Sequence, residues 1–140
     1  MTTETFRGFK PYQPEDGEEY MNERQKAHFR AILVAWREQL VEESRRTLSH
    51  MQDEYLPLAD PNDRASQEEE FSIELRARDR ERKLLHKIDK ALERLTSDSY
   101  GYCEACGIEI GIRRLEARPT AELCIDCKHL EEQKERSQAA

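Results

Sequence analysis

Four cysteines stand in two pairs, Cys103 and Cys106 in CEACG and Cys124 and Cys127 in CIDC, with the spacing C-x2-C-x17-C-x2-C. Two intervening residues let both thiolates of a pair turn toward one tetrahedral ion, and two such pairs complete a four-thiolate set for zinc. Gly107, directly after the first pair, permits the tight backbone turn that such a knuckle needs. With four thiolates bound, no coordination position is left for water. The expected cofactor is therefore one structural Zn2+, not a hydrolytic centre, and no catalytic residue is assigned. The metal would also supply much of the folding free energy of a segment with few apolar residues.

A pair of carboxylates is the other group able to do chemistry. The stretch LADPNDRA, residues 58–65, sets Asp60 and Asp63 on either side of Pro61 and Asn62. Asp60 suits an N-cap, Pro61 the first helical position and Asp63 the third, where negative charge favours the helix dipole. Capping and a functional role at a turn are compatible, and the residue types alone do not separate them.

These groups need elements to carry them, and the apolar pattern supplies two long helices. Asn22 followed by Gln25 reads as an N-cap with its partner three residues on. Phe29, Leu33, Trp36 and Leu40 then recur at helical steps, falter at Glu43 and resume at Leu48, Met51 and Tyr55. Such a helix is roughly 50 Å long at 1.5 Å per residue, and Pro57 ends it. A second helix runs from Pro61 to about Leu95, with Phe71, Leu75, Leu85, Ile88, Leu92 and Leu95 as its apolar positions and Arg78 and Arg82 between them. A short connection between two long helices makes them antiparallel, so that their stripes meet within one chain. The turn between them argues against a parallel coiled coil of two chains, and a monomer is expected.

The expected fold is mainly α: a long antiparallel coiled-coil hairpin, a small four-cysteine zinc module and a C-terminal helix. Residues 1–21 form an irregular leader, with aromatics at Phe6, Phe9, Tyr12 and Tyr20, packing on or near the body. Residues 22–95 are the hairpin with its tip at about 56–65, 96–127 the zinc module and 128–140 the final helix. Within the module, strand-like pieces around Ile108 to Leu115 suggest a hairpin, and a helix starts from about Ala121.

Composition excludes several classes. Leu, Ile, Val and Phe make up only 26 of 140 residues and the net charge is −7, a mixture that signals disorder unless the apolar residues are periodically placed. Here they are, and a coiled coil needs only two positions in seven. No apolar run approaches the roughly 18 residues of a membrane span, and the N-terminus lacks an apolar signal core, so a cytoplasmic address is expected. A reducing compartment favours metal ligation by the cysteines over disulfides. The acidic balance speaks against direct DNA binding, which depends on clustered Lys and Arg. Charge is also segregated: acids dominate residues 53–70, and bases dominate 76–94.

DPNDRA at 60–65, EEEFSIELRARDRERK at 68–83 and GYCEACGIEIGIRRLEARPTAELCIDC at 101–127 closely resemble the DksA/TraR family, in its zinc-bound form. The resemblance covers roughly residues 11–135. It implies a bacterial transcription regulator that binds RNA polymerase directly and inserts its coiled-coil tip into the secondary channel. Ribosomal RNA promoters would be inhibited and some amino-acid biosynthetic promoters stimulated, together with the alarmone ppGpp of the stringent response. By resemblance the tip determinants are Asp60, Asp63 and Ala65. The ppGpp contacts, where the regulator meets the polymerase rim, fall on Lys87, Arg118 and Lys128, with Arg80 and Leu84 beside them. An alternative is a Gre-like factor that promotes transcript cleavage through Mg2+ held at the acidic tip. A zinc-dependent DNA-binding module and a plain structural coiled coil are further rivals.

Overall fold

The structure is a computed structural model that describes residues 8–54 and 60–139. The described residues form four helices: α1 (Glu23–Glu54), α2 (Pro61–Thr96), α3 (Ile112–Ala117) and α4 (Ile125–Ala139). Among the described residues the only extended pairing is one antiparallel bridge, Tyr102 with Glu109. Phe6, Tyr55 and Pro57 lie outside the described residues. The chain divides into two compact units at Val34/Ala35 and Lys87/Ile88.

Local chemistry sets the helix ends. At the start of α1 the Asn22 side chain accepts from the Gln25 amide at 2.9 Å, while the Asn22 carbonyl accepts from the Lys26 amide at 2.9 Å, the two marks of an N-cap. Gln25 reaches back, but to the Met21 amide (2.5 Å) and the Glu19 carbonyl (3.2 Å) instead of to Asn22 itself. The Gln25 side chain is thereby buried and fully engaged. Asp60 caps α2: its carboxylate accepts from the Asn62 amide at 2.9 Å and its carbonyl from the Arg64 amide at 2.9 Å. At the other end of α2, Asp98 takes a left-handed backbone (φ 61°) and the Ser99 amide returns to the Arg94 carbonyl at 2.9 Å, a Schellman closure. An Asp in this position is unusual, and its carboxylate is occupied by the Lys26 ammonium at 2.5 Å.

The first unit holds the main apolar core. Phe29, Ile32 and Leu33 of α1, Ile88, Ala91 and Leu95 of α2, and Tyr100, Ile110 and Leu115 from the cysteine-bearing segment are all buried. Tyr100 is oriented by donating its hydroxyl to the Pro119 carbonyl at 2.7 Å, and its ring packs against Phe29 at a centroid distance of 5.7 Å. The leader residues join this unit: the Tyr12 amide donates to the Glu116 carboxylate at 2.6 Å, and the same oxygen lies 2.6 Å from His28 Nε2.

In the second unit the two helical segments run antiparallel, since Ser44 donates to Glu81 at 2.8 Å and His50 pairs with Glu74 at 3.3 Å. Among the described residues Trp36, Leu40 and Met51 are its buried apolar side chains. The seam departs from the expected stripe. Leu48 and Leu75 are exposed, and the Arg82 side chain points to solvent. Phe71, Glu74, Arg78, Glu81 and Leu85 are instead sheltered at steps of three and four, with Ala77 and Leu84 sheltered beside them. Polar residues hold the middle of the seam, so a stripe drawn through Leu75 and Arg82, with Arg78 between them, is off by one position at 74/75 and again at 81/82.

The expected strand-like pieces are also corrected. Ile112–Ala117 is helical, and only the Tyr102–Glu109 rung remains of the supposed hairpin. Paired rungs need length, and the Gly111 turn (φ 101°) cuts this one short to begin α3.

Candidate metal centre and surface determinants

The knuckle that carries the first cysteine pair is closed by backbone bonds. Ile110 N donates to Gly101 O at 2.8 Å, Cys103 N to Ile108 O at 2.8 Å and Gly107 N to Cys103 O at 2.9 Å. Gly107 adopts φ 80°, the conformation its residue type anticipates. The second pair straddles a helix start. Cys124 N-caps α4: its carbonyl accepts from the Lys128 amide at 2.9 Å, and the Cys127 amide donates to Cys124 Sγ at 3.5 Å. The Glu104 amide, donating to the Glu122 carbonyl at 2.9 Å, ties the two pairs together.

All four sulfurs lie within 4.8 Å of one another. Cys106 and Cys124 are 3.7 Å apart at sulfur, too far for a disulfide. A tetrahedron of zinc–sulfur bonds has S–S edges of about 3.8 Å. The titration behaviour points the same way. Burial raises the Cys103 thiol, yet the amides of Cys124, Cys106 and Ala105 bring it down to about 6, while Cys127 is pushed up to about 12 by the sulfurs of Cys124, Cys106 and Cys103. Four groups this close resist joint ionisation unless a cation sits among them. The donor set fits one Zn2+ held by Cys103, Cys106, Cys124 and Cys127, with no position left for water.

The remaining sequence-predicted residues lie on the surface. Asp60, the N-cap of α2, and Asp63 and Ala65, its third and fifth residues, are all exposed. Arg80, Leu84 and Lys87 follow at steps of four and three along α2, on one helical face, with Leu84 partly sheltered. Arg118 closes α3 and is exposed; Lys128, in the first turn of α4, pairs with Glu131 at 3.3 Å. Arg113, Arg114 and Arg118 line a shallow hollow with Ile110, Ile112 and Ile125. Arg114 is committed elsewhere, donating to the Leu123 carbonyl at 3.0 Å.

Sequence reading placed Tyr20 among the leader aromatics expected on or near the body but gave it no partner, and it gave no role to Met21, Arg94 or Tyr100. Arg94 donates to the Tyr102 carbonyl at 2.6 Å, and Tyr20 donates to the Gly101 carbonyl at 2.7 Å while accepting from the Gly111 amide at 3.0 Å. No period or spacing marks a tyrosine in an irregular leader, so no sequence signal announces these contacts.

A helical hairpin segment joined to a four-cysteine zinc finger is the class that this fold and site define. Residues 25–95 match the family model of the DnaK suppressor protein DksA, N-terminal domain, and residues 98–133 that of the prokaryotic dksA/traR C4-type zinc finger. The chain belongs to the DksA/TraR family. It is 64% identical over 132 residues to the RNA polymerase-binding transcription factor DksA of Escherichia coli K12, covering 94% of this chain and 87% of that protein. The protein of the same name from Haemophilus influenzae is also 64% identical, with 94% and 91% covered. Among solved structures, transcription factor DksA2 from Pseudomonas aeruginosa superposes with a TM-score of 0.80 at 43% identity, covering 89% of this chain and 94% of that one. The relatives are regulators by name and not enzymes.

Proposed function

We propose that this protein is a cytoplasmic transcription regulator that binds bacterial RNA polymerase directly and enters its secondary channel with the turn that carries Asp60, Asp63 and Ala65. Promoter complexes are thereby altered in stability, with ribosomal RNA promoters inhibited and some biosynthetic promoters activated. The observation that carries this reading is the match along nearly the whole chain to relatives named as RNA polymerase-binding transcription factors.

The site geometry supports it at two places. Asp63 and Ala65 are exposed beside a capped helix start, so a partner can reach them without disturbing the fold. Lys87, Arg118 and Lys128, with Arg80 and Leu84, are the residues we assign to ppGpp at the polymerase interface. Arg118 and Lys87 are exposed cations, which suits charge-assisted bonds to a polyphosphate. The protein acts as a monomer and does not read DNA itself.

In vitro transcription from a ribosomal promoter, with purified polymerase and with protein and ppGpp added separately and together, tests the proposal. Inhibition by the protein that deepens with ppGpp is expected. Unchanged transcription would overturn it. Cleavage of the nascent RNA in stalled elongation complexes would instead favour the Gre-like reading.

A further inference from the structure

One contact in the first unit has no part in the function proposed above. The phenol oxygen of Tyr20 sits between the two legs of the zinc knuckle, donating to the Gly101 carbonyl at 2.7 Å and accepting from the Gly111 amide at 3.0 Å. The legs are otherwise joined by the Ile110–Gly101 and Cys103–Ile108 bonds, which together make the Tyr102–Glu109 bridge. Tyr20 thus adds the rung that lies beyond the last backbone rung, at the open end of the loop that holds Cys103 and Cys106. Its ring meets Tyr102 edge-on at a centroid distance of 5.5 Å.

The anchoring is built on both sides. The turn that presents Tyr20 is fixed by the buried Gln25, which satisfies the Met21 amide and the Glu19 carbonyl, and Met21 itself is buried with a left-handed backbone (φ 54°). On the knuckle side, Gly101 has φ 91°, and a Cβ there would stand 2.6 Å from Met21 Cε and 3.0 Å from the Tyr20 hydroxyl. Only glycine leaves room for this approach. Arg94 at the end of α2 holds the Tyr102 carbonyl at 2.6 Å, between the two rungs.

We infer that Tyr20 is a positioning residue of the metal centre: its hydroxyl clamps the knuckle, so that docking of the leader and retention of zinc strengthen each other. Groups that hydrogen-bond to metal ligands without touching the ion change metal affinity by about 10- to 100-fold when removed, and Tyr20, which braces backbone two residues from Cys103, is expected at the lower end. Coupling of this kind is reciprocal, so zinc must also hold the leader in place.

The test uses the full chain loaded with zinc. Tyr20→Phe keeps the ring and removes the hydroxyl; Tyr12→Phe removes a leader hydroxyl that bonds only within the leader, to Glu18. Zinc release to excess chelator, followed with a colorimetric indicator, is expected to speed up about tenfold in Tyr20→Phe and to stay at the wild-type rate in Tyr12→Phe. The Gly111 amide, read by hydrogen exchange with zinc still bound, is expected to lose protection in Tyr20→Phe alone. In the unsubstituted protein, removal of zinc is expected to deprotect amides 19–22. Equal release rates for Tyr20→Phe and wild type, or an equal acceleration by Tyr12→Phe, would overturn the inference, as would leader amides indifferent to zinc.

Discussion

At Asp63 the two roles a carboxylate can play separate cleanly by substitution. The residue sits at the third position of α2, where its charge contributes about 0.3–1 kcal/mol through the helix dipole. Asp63→Asn is therefore expected to leave the thermal midpoint nearly unchanged while greatly weakening promoter inhibition, with binding to polymerase retained. Calorimetry beside a transcription assay checks both halves; parallel losses would assign the residue to capping alone. Asp60 should behave differently, because its oxygen accepts from the Asn62 amide. Asp60→Ala is expected to cost about 1 kcal/mol and Asp60→Asn much less. Glu18 gives a pH signature at the same scale. Hydrogen bonds from Tyr12 and then Asn22 hold its carboxyl down at about 2, below the ordinary value of 4.5. A carboxyl lowered on folding stabilises the folded state fully above its ordinary value and stops doing so as pH falls toward the folded one. The segment from Tyr12 to Glu18 should accordingly loosen between about pH 4.5 and 2, seen as faster amide exchange at residues 12–18, ahead of the turn that Gln25 fixes at 19–21, and Glu18→Gln should remove that acid-sensitive step. The cysteine set was legible in the sequence because two short spacings define it. For Tyr20 only a place on or near the body was legible; its partners, the Gly101 carbonyl and the Gly111 amide, depend on a docking geometry that no periodicity encodes.

Among the elements, α2 shows where sequence periodicity misleads. Leu75 attracts a stripe-based reading by its chemistry, yet Glu74 takes the sheltered position and Leu75 faces water. The rhythm of three and four from Phe71 to Leu85 was visible only if Glu74 and Glu81 were allowed as seam residues beside Arg78. The helix starts, by contrast, were readable from Asn22 and Asp60, because capping depends on side chains only two or three residues away. A polar seam has an energetic consequence. Ser44 donates to Glu81 at 2.8 Å with both side chains partly sheltered. Removing one partner leaves the other short of a bond, whereas removing both replaces a polar contact with an apolar one. Ser44→Ala alone is expected to destabilise the second unit by about 1 kcal/mol, and Ser44→Ala with Glu81→Leu to melt at or above the wild-type midpoint. Thermal unfolding of the single and double variants decides it; a double variant less stable than Ser44→Ala would show that the polar bond outweighs the apolar gain.

For the molecule as a whole, charge and metal set the terms. With a net charge of −7, the chain is expected not to shift promoter DNA in a gel without polymerase, at any salt concentration that keeps the polymerase complex intact. Zinc acts more deeply, because the segment it organises is also part of the apolar core. Tyr100 and Leu115 are essentially inaccessible to solvent and belong to the unit that contains Phe29, Ile32 and Leu33 of α1. If the metal leaves, the knuckle loses its central tie, and these two side chains lose the backbone that aims them into the core. Chelation is therefore expected to lower the unfolding midpoint of this unit by about 10 °C or more, since even a ligand at a hundredfold excess over its dissociation constant stabilises by about 2.7 kcal/mol. Helical circular dichroism should fall only modestly before that transition, because α1 and α2 are capped by their own side chains and not by the metal. Restoring zinc should return both the midpoint and polymerase binding. A midpoint unmoved by chelation would mean that the buried core, and not the four thiolates, holds the cysteine-bearing segment in place.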